Sequence, residues 1–495
     1  MSLPPAAPAP PSFLATPRGR LTLAFLCMVA FLDFVDASIV NVALPTIRHD
    51  LHFSIQSLQW VLSAYLLTYG GFMLLGGRAG DLLGRRRVLV AGIALFALSS
   101  LTAGLSNDAG VLVGARLVQG LGAAMMLPAA LSILTTTFDE GAERNKALGI
   151  WGAVAGTGGA AGVLLGGILT DQLNWSWIFY INVPVGLAAI ALAPRILRES
   201  RIEQGKRAFD FLGAVLVTGG LSLLVYALVQ TVDHSWTAPR TIAMFVGSAV
   251  LLAGFIATER RAHAPLMPLR LFRNRSLAGG NVVGLMLGAS IFSMFFLLTL
   301  YMQQVLGYSA LKTGVGYLLV SGVIIVSAGA SQALVTKIGV RTVLATGMGL
   351  TAVGLVYFSQ VSVGGSYLAD LAPGFILTGV GLGFSFVPVT IAALVGVDSA
   401  EAGVASGIIN TSQQIGGALG TAILSTVAFT RAADYATSHN PTPQLPLFAA
   451  VDGYQAAFLV GAIIATIGLV ATLTMVPGGT AEALVGEEAT EPAAA

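Results

Sequence analysis

The chain has 495 residues, of which 55% are hydrophobic and only 10% charged, with a net charge of +2 and a mean hydropathy of +0.83. Soluble domains carry about 25% charged residues, so much of this chain belongs in lipid. The small net charge argues against nucleic acid as a partner. The lone Cys27 allows no internal disulfide, and the five histidines do not cluster at ligand spacing.

Residues 1–20 are rich in proline and alanine and are expected to be disordered. Fourteen apolar spans follow, centred in 21–45, 57–77, 88–106, 110–136, 146–170, 177–194, 210–231, 241–258, 276–302, 313–335, 341–361, 370–396, 403–429 and 454–476. The fold class is therefore an all-α integral membrane protein. An even count puts both termini on one side. With that side cytoplasmic, the inner loops collect basic residues such as Arg85, Arg86, Arg87, Arg144, Arg201, Lys206, Arg207, Arg270 and Arg341. The outer loops keep Arg48, Arg240, Lys312 and Arg431. This asymmetry obeys the positive-inside rule.

The first span, FLDFVDASIVNVALP, carries Asp33 and Asp36 three residues apart, on one helix face. Two close carboxylates away from bulk water resist double ionisation, so the pair is expected to hold a proton that can exchange for a cation. A structural ion pair with Arg116, a basic residue inside the fourth span, is the other reading. GGRAGDLLGRRR (76–87), at the end of the second span, sets Asp81 among arginines and next to small residues. Such a cluster can latch one conformer through charge pairs or a helix terminus. GIWGAVAGTGGAAGVLLGGIL (149–169) spaces Gly158, Gly162 and Gly166 four apart, a seam for tight helix packing. NTSQQIGGALG (410–420) adds Asn410, Gln413 and Gln414 to a span. Those amides, with Gln59, Tyr65, Asn281 and Phe292, are candidate substrate contacts. No nucleophile–base pair, phosphate loop or metal cluster is apparent, so an enzyme is not expected and no cofactor is implied.

The chain repeats itself. LLGRRRVLVAG (82–92) aligns with KIGVRTVLATG (337–347), and ERNKALGIWGAVAGTGGAAG (143–162) with EAGVASGIINTSQQIGGALG (401–420), at offsets of 255 and 258. Pro128 and Pro388 lie 260 apart. A parallel duplication of a six-helix unit is a transporter signature, and the long offset leaves room for two inserted helices.

Four motifs occur in order: VDASIVNVALP, GRAGDLLGRRR, RLVQGLGAAMMLPA, and GAAGVLLGGIL followed by WSWIFYINVPVG. On these and the fourteen spans, residues 20–476 resemble the major facilitator superfamily, and within it the fourteen-helix drug/proton antiporters of the QacA and EmrB type. The resemblance implies a major facilitator fold. An N-terminal six-helix bundle would fill 21–195, a linker with two extra helices 196–275, a C-terminal bundle 276–476 and a cytoplasmic tail 477–495. It further implies proton-coupled efflux of antibiotics, dyes or biocides by alternating access, from the bacterial inner membrane, with protons as coupling ion. A dedicated exporter of one endogenous metabolite or self-made antibiotic is the alternative, and a nutrient symporter a more distant one. Asp36 falls on the family's first-helix acid and Arg116 on the arginine that assists proton transfer, with Gln119 and Gly120 following. Gly77, Asp81, Gly84, Arg85 and Arg86 fall on the loop motif that latches the conformation, and Gly158, Gly162, Gly166 and Gly167 on the helix 5 antiporter motif. Two residues depart from the pattern: Val163 stands where that motif usually has proline, and Asp33 lies outside it. The span 313–335 carries no acid, which fits a neutral or monocationic lipophilic substrate. The protein is expected to work as a monomer in the bilayer.

Overall fold

The computed structural model describes residues 13–139, 142–200, 210–231, 234, 236–262, 265–397 and 401–478. Arg201, Lys206, Arg207 and the tail glutamates (482, 487, 488 and 491) lie outside the described residues. Fourteen helices among the described residues are long and apolar enough to cross a membrane. They are α1 (Pro17–Asp50), α2 (Trp60–Leu83, entered through the turn Ile55–Leu58), α3 (Arg85–Gly104), α4 (Ala109–Thr137) and α5 (Ala142–Gln172). Then come α6 (Trp177–Tyr180 and Asn182–Ile196), α7 (Phe211–Gln230), α8 (Pro239–Arg261) and α9 (Arg275–Leu300, continued by a π turn, Tyr301–Val305). The last are α10 (Ala310–Ile338), α11 (Val340–Phe358), α12 (Ala372–Leu394, entered by a π turn, Tyr367–Leu371), α13 (Ala402–Ser438) and α14 (Leu445–Met475).

Every expected span is a helix, but three ends differ from the reading of the sequence. The chain is ordered from Phe13, within the segment expected to be disordered. Thr16 accepts a hydrogen bond from the Gly19 amide at 3.0 Å and Pro17 opens α1. This N-cap and first-turn proline are a helix start that the surrounding Pro/Ala bias conceals. At the other end α13 continues to Ser438, and α14 begins at Leu445, nine residues before the expected 454. Arg431 donates to Asp452 at 2.7 Å across this hairpin. The charged pair carries both helices beyond the apolar region, where a hydropathy reading stops.

The two halves repeat each other. In the first, α1 packs on α5, and α2 and α3 pack on α4; in the second, α9 packs on α13, and α10 and α11 pack on α12. Glycines paired by the sequence repeat do the same work in each half. A Cβ on Gly162 would lie 2.7 Å from the Val35 carbonyl oxygen of α1, and one on Gly420 would lie 2.5 Å from the Ala289 carbonyl oxygen of α9. Gly84 and Gly339, the last residues before α3 and α11, have φ of +112° and +86°. Only glycine turns the chain there without strain.

The two most extensive contacts between the halves are α2 with α13 and α5 with α10, and α1 also touches α9 and α10. The inserted α7 and α8 form a hairpin, with α7 against α2 and α13 on the outside of the first junction. The second junction is closed at one end only. Beyond Gln172, at the end opposite the arginines of 85–87, the α5 residue Asp171 accepts the Ala310 and Leu311 amides at 3.1 and 2.9 Å. A Cβ on Gly314 would lie 2.4 Å from the Val163 carbonyl oxygen. Gly149 and Gly152 are on the same face of α5 as Gly167 and Val163 but meet open space. The helices thus part toward the arginine-rich end.

Candidate functional site: a buried acid cluster in the first half

Asp36 is fully buried, and Arg116 is 1% exposed. An ion pair so placed needs near-complete hydrogen bonding to persist. Here Arg116 Nη1 donates to Asp36 Oδ2 at 2.7 Å and to Gln119 Oε1 at 2.7 Å, while its Nε donates to the Val61 carbonyl at 3.0 Å. Gln119 Nε2 and Asn182 Nδ2 donate to Asp36 Oδ1 at 2.8 and 2.7 Å. Both amides also reach Ser100 Oγ, at 2.7 and 3.2 Å. Four helices, α1, α3, α4 and α6, thereby fix one carboxylate. Gln119 sits three residues after Arg116, one helical step along the same face. The helix break at Ile181 sets Asn182 at the start of the longer part of α6.

Asp33 is 2% exposed and differently held. Tyr65 donates to its Oδ1 at 2.8 Å and Tyr69 to its Oδ2 at 3.1 Å. Tyr65 joins the two acids, because the Arg116 guanidinium lies over its ring at 4.2 Å. Gln414 of α13, in the other half, packs beside Tyr69: a Cβ on Gly70 would lie 3.0 Å from the Gln414 Cβ.

The loop motif is confined to the first half. Arg85 donates to Asp81 Oδ1 from Nε and Nη2 at 3.0 and 2.8 Å, across the Gly84 turn. Arg86 reaches Glu199 and the Leu197 carbonyl, its backbone amide donating to Glu199 Oε1 at 3.1 Å. Arg87 approaches Glu199 at 3.7 Å. The motif clamps the segment after α6. Gly77 faces Pro128 of α4. Gly158, Gly162 and Gly166 all pack on α1, at Phe34, Val35 with Ser38, and Ile39. Gly167 packs on α10, at Leu311. The seam thus presses α1 from behind the acids.

The expected substrate contacts do not form one patch. Tyr65 joins the acid cluster, and Gln414 packs at its edge against Gly70. Gln59 accepts from Ser425 of α13 at 3.1 Å, near the closed end. Asn281 accepts from Ser412 at 2.8 Å, inside the second half. Gln413 packs on α9 at Gly288, and Phe292 against Gly417. Asn410 bonds the Ser406 carbonyl of its own helix. A polar residue in a span has to find partners, and here most find them in a neighbouring helix or their own. Asn182, Ser100 and Tyr69 were missed. The one signal for Asn182 was a lone amide within WSWIFYINVPVG; a serine or tyrosine in an apolar span gives none.

Fourteen membrane-length helices, a parallel duplication and a buried ion-paired acid fit the class of membrane transporters. Residues 26–421 match the family profile of the Major Facilitator Superfamily. The puromycin resistance protein pur8 of Streptomyces alboniger is 37% identical over 91% of this chain and 90% of its own. The cephamycin export protein CmcT of Amycolatopsis lactamdurans is 39% identical over 83% of this chain and 85% of its own. Among solved structures, the human organic anion transporter MFSD10 superposes with a TM-score of 0.62 over 92% of this chain and 100% of its own, at 15% identity, a likeness of fold. The chain belongs to the Major Facilitator Superfamily and is a multi-pass plasma membrane protein.

Proposed function

We propose that this protein is a fourteen-helix exporter that moves an antibiotic-like small molecule out of the cell in exchange for protons. The observation that carries the reading is the buried cluster of two carboxylates and one guanidinium on α1 and α4, in a chain similar to resistance and export proteins. Charge at mid-membrane is costly to keep, and transporters keep it to move ions. On this reading both termini are cytoplasmic, and the arginines of 85–87 obey the positive-inside rule. The parted ends of α5 and α10 thus open inward, and Asp171 closes the outer end. An apolar groove between α10 and α12, lined by Leu318, Val323, Val326 and Phe384, suits a lipophilic neutral or monocationic substrate. The names of the relatives favour a dedicated antibiotic exporter at least as much as a multidrug one.

The test uses everted membrane vesicles with an acidified lumen and a pH-sensitive dye. Puromycin, cephamycin, tetracenomycin and ethidium are added in turn. We expect at least one to discharge the proton gradient with wild type and not with Asp36→Asn. Response to one compound alone identifies a dedicated exporter, and response to several a multidrug one. Uphill accumulation of a nutrient in intact cells would instead establish a symporter.

A further inference from the structure

Within the proton-coupled reading, the geometry points to Asp33, and not to the motif acid Asp36, as the carboxyl that carries the exchanged proton. The cluster holds two carboxylates and one guanidinium, so its formal charges leave one negative charge over. Asp36 holds the cation: it accepts from Arg116 and from two amides. Protonating it would strand Arg116, which is 1% exposed, without its partner. Among the described residues Asp33 has no cationic partner, only the Tyr65 and Tyr69 hydroxyls. A buried carboxylate without a counter-charge binds a proton or a cation, or does not stay buried. The charged and titratable groups facing it are Asp36 on its own helix, Tyr65 and Tyr69 on α2, and Arg116 on α4. From α5, on the other side of α1, the packed residues are glycines.

The position of Asp33 also gives its proton an effect on the second half. While Asp33 is ionised, both tyrosines donate to it, so neither hydroxyl has a proton to offer another group. When a proton from one aqueous face adds to a carboxylate oxygen, the new O–H becomes a donor. One tyrosine hydroxyl then turns to accept it or points elsewhere. Tyr69 is the tyrosine beside which the other half packs, with Gln414 of α13 against Gly70. Protonation of Asp33 therefore turns a hydroxyl at the junction of the halves, and loss of the proton to the other face restores it. Asp36 in this scheme is a positioning residue that keeps Arg116 over Tyr65.

The experiment is pH-jump infrared difference spectroscopy on the purified full-length protein in lipid nanodiscs, reading the carboxylic acid C=O band. We expect wild type to show one titrating band, absent from Asp33→Asn and present in Asp36→Asn and Tyr69→Phe. A band lost in Asp36→Asn and kept in Asp33→Asn would overturn the assignment. Everted vesicles given puromycin provide the second arm. Puromycin-driven proton release should fall at least tenfold in Asp33→Asn and recover in part in Asp33→Glu. Puromycin counterflow in Asp33→Asn should lose its pH dependence. Should Asp33→Asn fail to fold, Tyr69→Phe decides: a tenfold loss of coupling with the infrared band intact supports the relay, and unchanged coupling overturns it. If wild type moves no protons with any substrate yet still shows the Asp33 band, proton-coupled export fails while the site of protonation stands.

Discussion

The two halves of the molecule share a frame and divide the chemistry. Each has a glycine-seamed pair, α1 with α5 and α9 with α13, and each turns on a glycine with positive φ. The buried interior of the first half holds Asp33, Asp36 and Arg116 with their amide and hydroxyl partners. The second half has buried hydroxyls instead. Ser290, Ser293, Thr351, Thr378 and Ser385 donate to carbonyls of their own helices, and Tyr317 bonds Thr299 at 2.8 Å. Hydroxyls satisfied within their own helix make no demand on a neighbouring helix, so these five hydroxyls place no constraint on how the helices of the second half sit against one another. The first half cannot rearrange its cluster without uncovering charge. The duplication thus leaves buried charges in the first half and buried hydroxyls in the second.

The largest effect should come from removing the one cation. Arg116→Ala leaves Asp36 without a counter-charge and removes the support under Tyr65. A broken buried pair costs about 3–5 kcal/mol. We expect a fall of many degrees in the unfolding temperature in detergent and no detectable transport. Retained stability would mean that the first half tolerates charge as easily as the second tolerates hydroxyls, which would end the comparison.

Next in size are the paired seam glycines. A Cβ on Gly162 would sit 1.9 Å from Ser38 Oγ and 2.7 Å from a carbonyl oxygen; on Gly420 it would sit 2.4 Å from the Ala289 Cα. Gly162→Ala and Gly420→Ala should each cost about 1–3 kcal/mol by overpacking. Thermal unfolding of each variant measures this. Only Gly162→Ala pushes on the helix face behind the acids, so it alone should also shift the pH profile of transport. Equal shifts from both would show that the second half takes part in proton binding.

How far this division was legible in the sequence follows from what each residue type reveals. Charged residues in apolar spans are rare enough that Asp36 and Arg116 were found together, and Asp33 with them. The repeat was legible because glycines at a fixed offset mark close approach, as Gly162 and Gly420 both do. Partners of ordinary composition were not legible. Ser100, Tyr69 and Asn182 look like any polar residue in a span, and only the packing of four helices brings Asn182 to Asp36 and Ser100 to the amides of Gln119 and Asn182. The candidate substrate contacts are dispersed for the converse reason. Asn281, Gln59 and Gln413 looked exceptional in apolar surroundings, but a span amide most readily finds an acceptor or a neighbouring helix. Glu199 was hidden too, since a glutamate in a basic loop has many possible partners before the fold chooses Arg86 and Arg87.

The smallest expected effect sharpens the comparison most, because it sets matched changes in the two halves side by side. Tyr317→Phe removes a fully buried hydroxyl that bonds Thr299 and the Phe295 carbonyl, each at 2.8 Å. Loss of such bonds costs about 1 kcal/mol, somewhat more if Thr299 is left without a partner. Tyr69→Phe removes a hydroxyl of similar burial in the first half, and with it one donor to Asp33. On stability alone the two variants should be close, and parallel thermal melts check that. On coupling they should differ: puromycin-driven proton release should be unchanged in Tyr317→Phe and reduced about tenfold in Tyr69→Phe. The hydroxyl of the second half is a packing contact that happens to be polar. The hydroxyl of the first half is held by a carboxylate that lacks a counter-charge, on the helix against which Gln414 of α13 packs, so on the proposed reading its removal takes away the point at which the state of one half reaches the other.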